Sequence, residues 1–392
     1  MTKLLLTITC CIFSLINSLA AQSLNGWTSR ETLQITEQSG TSLLNYQVKI
    51  TVLHQTGMQN NFADIRFTDI DGTTLLNHWL AFYQAGVSAT FWVNIPILQA
   101  NSSQNIFLYF DNAAASSASD GHATFLFFND MNQLNQWNLT GNSVMSIDSS
   151  SYPGNYLIKK QGACDPAGAW IPLGGTVGSF RLLARELRVN DNSCKWNRYG
   201  LENNSFNGYS LRRKAAVNTV GEFGFERRTA GMHNNVRQTV LPQPRGQFYR
   251  TELIKDCNSG WLQATLQDDN GNLIGQHDAF DNTYCTFDRF VMRGGVDYFF
   301  DHIAVAQYIE NEPIVTFLNQ LILLPLELLH FDATKTDDGH LIEWEIGQTD
   351  DILHFELAYS LDAINFETIY QFSVQELRYE IIDKNFYDAE QV

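Results

Sequence analysis

Apolar and polar residues alternate with a period of two along most of the chain. Tyr46, Val48, Ile50 and Val52 are interleaved with Gln47, Lys49 and Thr51, and Ile106, Leu108 and Phe110 repeat the pattern. Alternation of this kind puts the apolar side chains on one face of a strand. No stretch keeps a 3.6-residue period. Asp71-Gly72, Asn207-Gly208, Asn270-Gly271 and Asp338-Gly339 interrupt the runs, as tight hairpin turns require. The pattern predicts an all-β chain of tandem β-sandwiches. At 392 residues the chain exceeds what one core holds, so two or three domains are expected.

The N-terminus departs from the pattern. Lys3 is followed by an apolar run from Leu4 to Ile16 and by small residues at Ser18, Ala20 and Ala21. This is the plan of a cleavable signal peptide over residues 1–21. The run is too short for a membrane span, which needs about 20 apolar residues. The nearest later candidate, Leu318 to Leu329, is interrupted by Pro325 and Glu327. An exported protein at the cell surface or beyond it, with no transmembrane span, is therefore expected.

The first unit, residues 26–123, carries Trp27 with Arg30, a strand Asp64-Ile65-Arg66-Phe67 entering an Asp-Gly turn, Trp79, a strand Phe91-Trp92-Val93, and the ending Leu108-Tyr109-Phe110-Asp111-Asn112 before an Ala/Ser linker. In this order the motifs resemble DUF2341, a bacterial extracytoplasmic module of unknown function. That resemblance implies a laminin-G/concanavalin-like sandwich after the linker. Phe125 to Asp130 with Trp137 fits its start, which sets the second unit at 124–317 as a jelly roll. The third unit, 324–392, holds a strand Leu341-Ile342-Glu343-Trp344 with Trp344 turned inward and a strand Phe355 to Ser360. It resembles the fibronectin-type-III-like domain that precedes the sorting tail of Bacteroidetes proteins exported by the type IX system. That family has a further hairpin after Asp383, so the unit is expected to be a truncated or short form.

The formal net charge of -17 is uneven, with 16 acidic and 3 basic residues from Pro325 onward. Such acidity argues against nucleic acid as a partner. Of six cysteines, Cys10 and Cys11 fall in the leader. Cys164, Cys194, Cys257 and Cys285 form an even set, and in an exported chain this implies disulfides. Proximity favours Cys164–Cys194 and Cys257–Cys285. The spacings are too long for a zinc site.

The candidate chemistry lies in the middle unit. Arg181, Arg185, Arg188, Arg212, Arg213, Lys214, Arg227 and Arg228 make it locally basic, with Glu186, Glu222 and Glu226 as pairing acids. Trp196, Tyr199 and Tyr209, with Arg198 and Arg212, are the predicted ligand-binding set. Exposed rings stack on sugar faces, and guanidinium forks bind carboxylate or sulfate. Asp268 and Asp269 at a turn are candidate Ca²⁺ ligands, because oxygen-bearing loops suit that ion. The carboxylate spacing of laminarinase-like glycanases is missing. Glu343 and Glu345 share only a strand face, and no nucleophile elbow or phosphate loop is present. Asp301 and His302 are adjacent, and on a regular strand neighbours point to opposite faces. The expected function is a non-catalytic surface protein whose middle sandwich binds a polysaccharide. The alternatives are a structural or adhesive component, with self-association, and a divergent glycan hydrolase or lyase.

Overall fold

The computed structural model describes residues 24–141, 143–148, 157–161, 168–188, 196–215, 220–244, 246–294, 298–318, 328–336, 339–346, 354–359, 367–373 and 378–383. The expected leader, Cys164 and Cys194 lie outside them. Residues 1–318 form one compact unit and residues 319–392 a second.

The first sandwich is built from β1 (Ser29–Thr36), β2 (Leu43–Leu53), β3 (Arg66–Thr68), β4 (Leu75–Leu76), β5 (His78–Gln84), β6 (Ser88–Leu98) and β7 (Ser103–Phe110). A single helical turn, α1 (Gly121–Thr124), capped by the Asp120 carboxylate, leads out of it. The middle sandwich then runs through β8 (Phe127–Asn129), β9 (Asn138–Thr140), β10 (Val144–Asp148), β11 (Leu157–Gln161), β12 (Gly168–Val177), β13 (Phe180–Arg188), β14 (Trp196–Glu202), β15 (Gly208–Ala215), β16 (Val220–Thr229), β17 (Met232–Pro242), β18 (Phe248–Lys255), β19 (Trp261–Asp268), β20 (Leu273–Phe280), β21 (Phe287–Gly294) and β22 (Tyr298–Gln307). The chain then returns: β23 (Ile314–Phe317) pairs with β1. The expected boundary at 317 places these residues in the middle unit. Instead, the middle sandwich is an excursion between two parts of the first.

The expected all-β sandwich architecture is present. In the first sandwich a five-stranded sheet, β23-β1-β7-β3-β4, covers a three-stranded one, β2-β6-β5. Tyr46, Val48, Ile50 and Val52 fill the interior with Phe91, Val93 and Ile95, all buried. In the middle sandwich a seven-stranded sheet, β17-β16-β15-β14-β21-β12-β9, faces a six-stranded sheet, β20-β19-β18-β13-β22-β8. Its core holds Tyr199, Leu201, Phe223, Phe225, Phe290 and Phe300. The pair β10–β11 forms a separate ribbon.

The outer face of the three-stranded sheet meets the outer face of the six-stranded sheet. Trp79 and Trp92 pack there against Phe125, Ala304 and Ala306. The two alanines are the physical condition for this contact, since larger residues would hold the indoles off the strand. Arg181 of β13 donates to both oxygens of Glu312 at 2.6 and 2.8 Å and to Glu252 at 2.6 Å. The Tyr46 hydroxyl of the first sandwich also donates to Glu312, at 3.1 Å.

In the second compact unit β24 (Leu328–Thr336), β25 (Gly339–Ile346) and β28 (Arg378–Asp383) form one sheet, while β26 (His354–Tyr359) pairs with β27 (Glu367–Ser373). Trp344 and Ile342 are buried on one face of β25, as the alternation predicts, and the Trp344 ring stacks on Tyr379 at 5.2 Å. Glu343, on the opposite face, pairs with Arg378 at 3.2 Å.

Candidate functional site

Alternation along β14, β15, β16 and β21 sorts their side chains onto two faces. Tyr199 and Leu201, Tyr209 and Leu211, Phe223 and Phe225, and Phe290 and Met292 point into the core. The residues between them form the outer face of the seven-stranded sheet. The pairing registers align these into rows. One row is Arg289, Glu202, Gly208, Arg228 and His233. The next is Val291, Gly200, Ser210, Glu226 and Asn235, and the third is Arg293, Arg198, Arg212, Gly224 and Gln238.

The glycines make this face a shallow floor. A Cβ on Gly200 would stand 2.0 Å from the Tyr209 carbonyl oxygen, and one on Gly224 would stand 2.0 Å from that of Arg237. Neither site tolerates a side chain without moving a neighbouring strand. The long arginines therefore lie over the floor and engage buried carboxylates. Arg293 and Arg228 donate to opposite oxygens of Glu202 at 2.7 and 3.4 Å. Arg198 Nε lies 2.6 Å and His233 Nδ1 2.5 Å from Glu226 Oε1. Arg212 reaches Glu222 at 3.3 Å, donates to Asn235 at 2.7 Å, and is hydrogen-bonded to Gln238. At the margin the Arg289 guanidinium lies 4.5 Å from the Trp170 ring centre and 5.8 Å from that of Phe206.

The electrostatics follow from burial. Glu202 and Glu226 have no exposed surface. Burial pushes the Glu202 carboxyl above its usual range, against the pull of Arg293. Burial also lowers the Arg212 guanidinium, and neighbouring Arg198 adds to that effect while Glu226 and Glu222 oppose it. Among the described residues of this face, Arg198, Arg212, Arg228, Arg289 and Arg293 lie among the carboxylates of Glu202, Glu222 and Glu226, and Arg289 also donates to the adjacent Asp288 at 2.8 Å. The layer is cationic in sum. Its guanidinium forks can meet planar anions bidentately.

The predicted ligand set is thus divided. Arg198 and Arg212 come together on the outer face. Tyr199 and Tyr209 do not join them. Both rings are wholly buried, with the Tyr199 hydroxyl on Thr251 at 2.7 Å and the Tyr209 hydroxyl on Asp281 at 2.8 Å. Neither can serve as a sugar platform. Trp196 begins β14, and its side chain lies outside what is described. The basic run also splits. Arg213 points into the core, against Glu186 and 4.5 Å from the Tyr249 ring centre, while Arg181 and Arg185 sit on the opposite sheet. Arg289, Arg293 and Glu202 were missed in the sequence. Their signal was the alternation itself, since Arg289 and Arg293 flank Val291 across inward Phe290 and Met292.

The candidate Ca²⁺ ligands are otherwise engaged. The Asp268 carboxylate closes its own hairpin, accepting from Asn272 N at 2.8 Å and Asn272 Nδ2 at 2.9 Å. Asp269 is gripped by Arg185 through two bonds of 2.7 Å. A carboxylate neutralised by a fork has little left for a cation. Among the described residues no group of three or more His, Cys, Asp or Glu converges as a metal ion would need. Asp301 and His302 overturn the strand rule. A bulge in β22 opposite Arg185–Glu186 puts Asp301 outside the regular register, and His302 Nδ1 sits 3.1 Å from its carboxylate. Cys257 and Cys285 carry free thiols and are hydrogen-bond neighbours, with Cys285 Sγ 3.8 Å from the Cys257 carbonyl oxygen.

Comparison with known proteins agrees with part of this. Residues 61–140 match the family model described as domain of unknown function (DUF2341). An uncharacterized protein of Methanocaldococcus jannaschii is 29% identical over 187 residues, which cover 46% of this chain. The match spans only 18% of that relative's length. Among solved structures, the carbohydrate-binding module CBM66 from Bacillus subtilis is similar over 45% of this chain and 98% of its own, with 11% identity and a TM-score of 0.35. Peanut lectin with a 9mer peptide is similar over 48% and 97%, with 9% identity and a TM-score of 0.34. Scores of this size leave the chemistry of the face to be argued from its own residues. No helix among the described residues is long and apolar enough to cross a membrane.

Proposed function

We propose that this is an exported surface protein that binds a polysaccharide, of acidic type, through the outer face of the seven-stranded sheet, without catalysis. One observation carries the reading. Five arginines lie in register over a glycine floor against three glutamates and the Asp288 that pairs with Arg289. A fold gains nothing from burying surplus cations in this way, because desolvating a charge is costly unless an anion offsets it. A polymer of carboxylate or sulfate groups supplies that anion, and Trp170 and Phe206 beside Arg289 offer ring surface for the sugar. Glu202 and Glu226 are each engaged by arginines, which favours a holding role over acid–base work. The leader-like residues 1–21 support export, and the fibronectin-like pattern of the last unit supports delivery to the cell surface.

Affinity electrophoresis of the full chain in gels containing alginate, pectate or dextran tests it. Retardation by the acidic gels, weakened by salt and lost in R212Q/R289Q, is the expected result. Equal mobility in all three gels overturns it.

A further inference from the structure

A second site lies where the two sandwiches meet. A cavity of about 250 Å³ opens between the outer faces of the three-stranded and six-stranded sheets. Phe82, Trp79 and Trp92 line it together with Arg250 and the exposed Lys49. A neighbouring hollow of about 400 Å³ shares Trp79, Ala81, Arg250 and His302 with it. The first sandwich presents the rings by alternation, since Lys49, Trp92 and Trp79 are register partners across β2, β6 and β5.

Arg250 crosses the seam. Its Nη1 donates to the Ala81 carbonyl oxygen at 2.9 Å, and its guanidinium lies 4.7 Å from the Phe82 ring centre. Its Nε donates to the Asp269 carbonyl oxygen at 3.2 Å, and the carboxylates near it are shared with other cations. Glu252 is held by Arg181 at 2.6 Å. Asp269 gives both oxygens to Arg185 and meets Arg250 only at 3.5 Å. Asp301 is shared between Arg185 at 3.1 Å and His302 at 3.1 Å. Burial pulls the Arg250 guanidinium down to about 10, and neighbouring Arg185 adds to this against the opposing pull of Asp269 and Asp301. A buried cation in that condition is stabilised by any anion brought within reach.

We propose that the seam cavity binds one sugar residue bearing a carboxylate, with the carboxylate on Arg250 and Lys49 and the sugar ring against Phe82. The size fits. Pockets for drug-sized ligands run from ~300 to 1,000 Å³, and this one suits a single, smaller unit. The hydroxyls of Thr51 and Thr90 and the amide of Gln267 line it as partners for sugar hydroxyls. The site is separate from the seven-stranded sheet, so each can fail without the other.

Calorimetric titration of the full chain with glucuronate, followed also by tryptophan fluorescence, tests it. The expected result is saturable binding with a fluorescence change from the indole wall. Affinity falls about tenfold or more in K49A and in R250Q, and R378Q in the second compact unit leaves it unchanged. K49A alters an exposed side chain and keeps the test valid if R250Q does not fold. Absence of binding at millimolar glucuronate, glucose binding as tightly as glucuronate, or full affinity in K49A would each overturn the site.

Discussion

Arg213 and Glu186 are charged residues placed inside an apolar core. Arg213 is 1% exposed and Glu186 not at all, and they pair directly with Gln243 beside them. Burial, with Glu186 nearby, raises the Tyr199 hydroxyl well above its usual range, so that ring is held neutral next to the pair. Removing one partner leaves a buried charge facing desolvation. R213M is expected to destabilise the middle sandwich by about 3–5 kcal/mol, while the double variant E186L/R213M recovers most of that loss. Equilibrium denaturation of the three proteins reads this directly, and additive losses would refute it. Glu37 shows the opposite balance. Burial raises its carboxyl, but Ser39 Oγ and the amides of Asn101, Ser39 and Gly40 more than offset this and hold it at about 2. A depressed carboxyl contributes stability above its unfolded value near 4.5 that fades as pH falls toward 2. The melting temperatures of wild type and E37Q should therefore differ at pH 7 and converge near pH 2.

At the scale of the strand, much was legible because parity decides direction. The alternation at Tyr46 to Val52 located β2, and that around Trp344 located β25. Parity also settles a point about the ligand set. Arg198 and Tyr199 are neighbours, so no regular strand can bring both to one face, and the inward place went to the ring. What the sequence did not show were departures from regularity. The bulge at Asp301 brought that carboxylate onto His302, and the close backbone approaches at Gly200 and Gly224 created a floor that composition does not reveal. Nor did it show β23 joining the first sheet, because strand pairing depends on the path of the chain rather than on local pattern. Cys257 and Cys285, just after β18 and just before β21, are close in the sequence and adjacent in the fold. Burial and the neighbouring thiol push Cys257 up to about 12, so as a thiol it is a poor nucleophile. We expect this pair to form a disulfide under oxidising conditions. Non-reducing peptide mapping should find the Cys257–Cys285 link, and reduction should cost about 3–4 kcal/mol for a loop of 28 residues. Two freely alkylated thiols in unreduced protein would rule it out.

Within residues 24–318 the two sandwiches are joined by more than a linker. The chain leaves the first sandwich through α1, completes the second, and returns as β23 to the edge of the first, so the first sandwich closes only after the second is complete. The return depends on Arg181, which ties Glu312, just before β23, to Glu252 of the middle sandwich, while Tyr46 secures Glu312 from the other side. Its guanidinium also lies 5.4 Å from the Trp92 ring centre and 5.6 Å from that of Tyr308. Substituting methionine keeps apolar contact with the rings but leaves two carboxylates close together without their shared cation. Each retains a strong preference for charge or water, so the seam must open or the acids must protonate. The expected loss is about 3–5 kcal/mol, concentrated on the docking of β23 and the three-stranded sheet rather than on the middle core. Differential scanning calorimetry should therefore resolve R181M into two transitions where the wild type shows one for this unit, the lower belonging to the first sandwich. The double variant R181M/E312Q removes one of the stranded charges and should bring the transitions back toward each other. A single unshifted transition in R181M would mean that the indole–alanine contact alone holds the sandwiches together. The electrostatic tie would then be a consequence of their docking and not its cause.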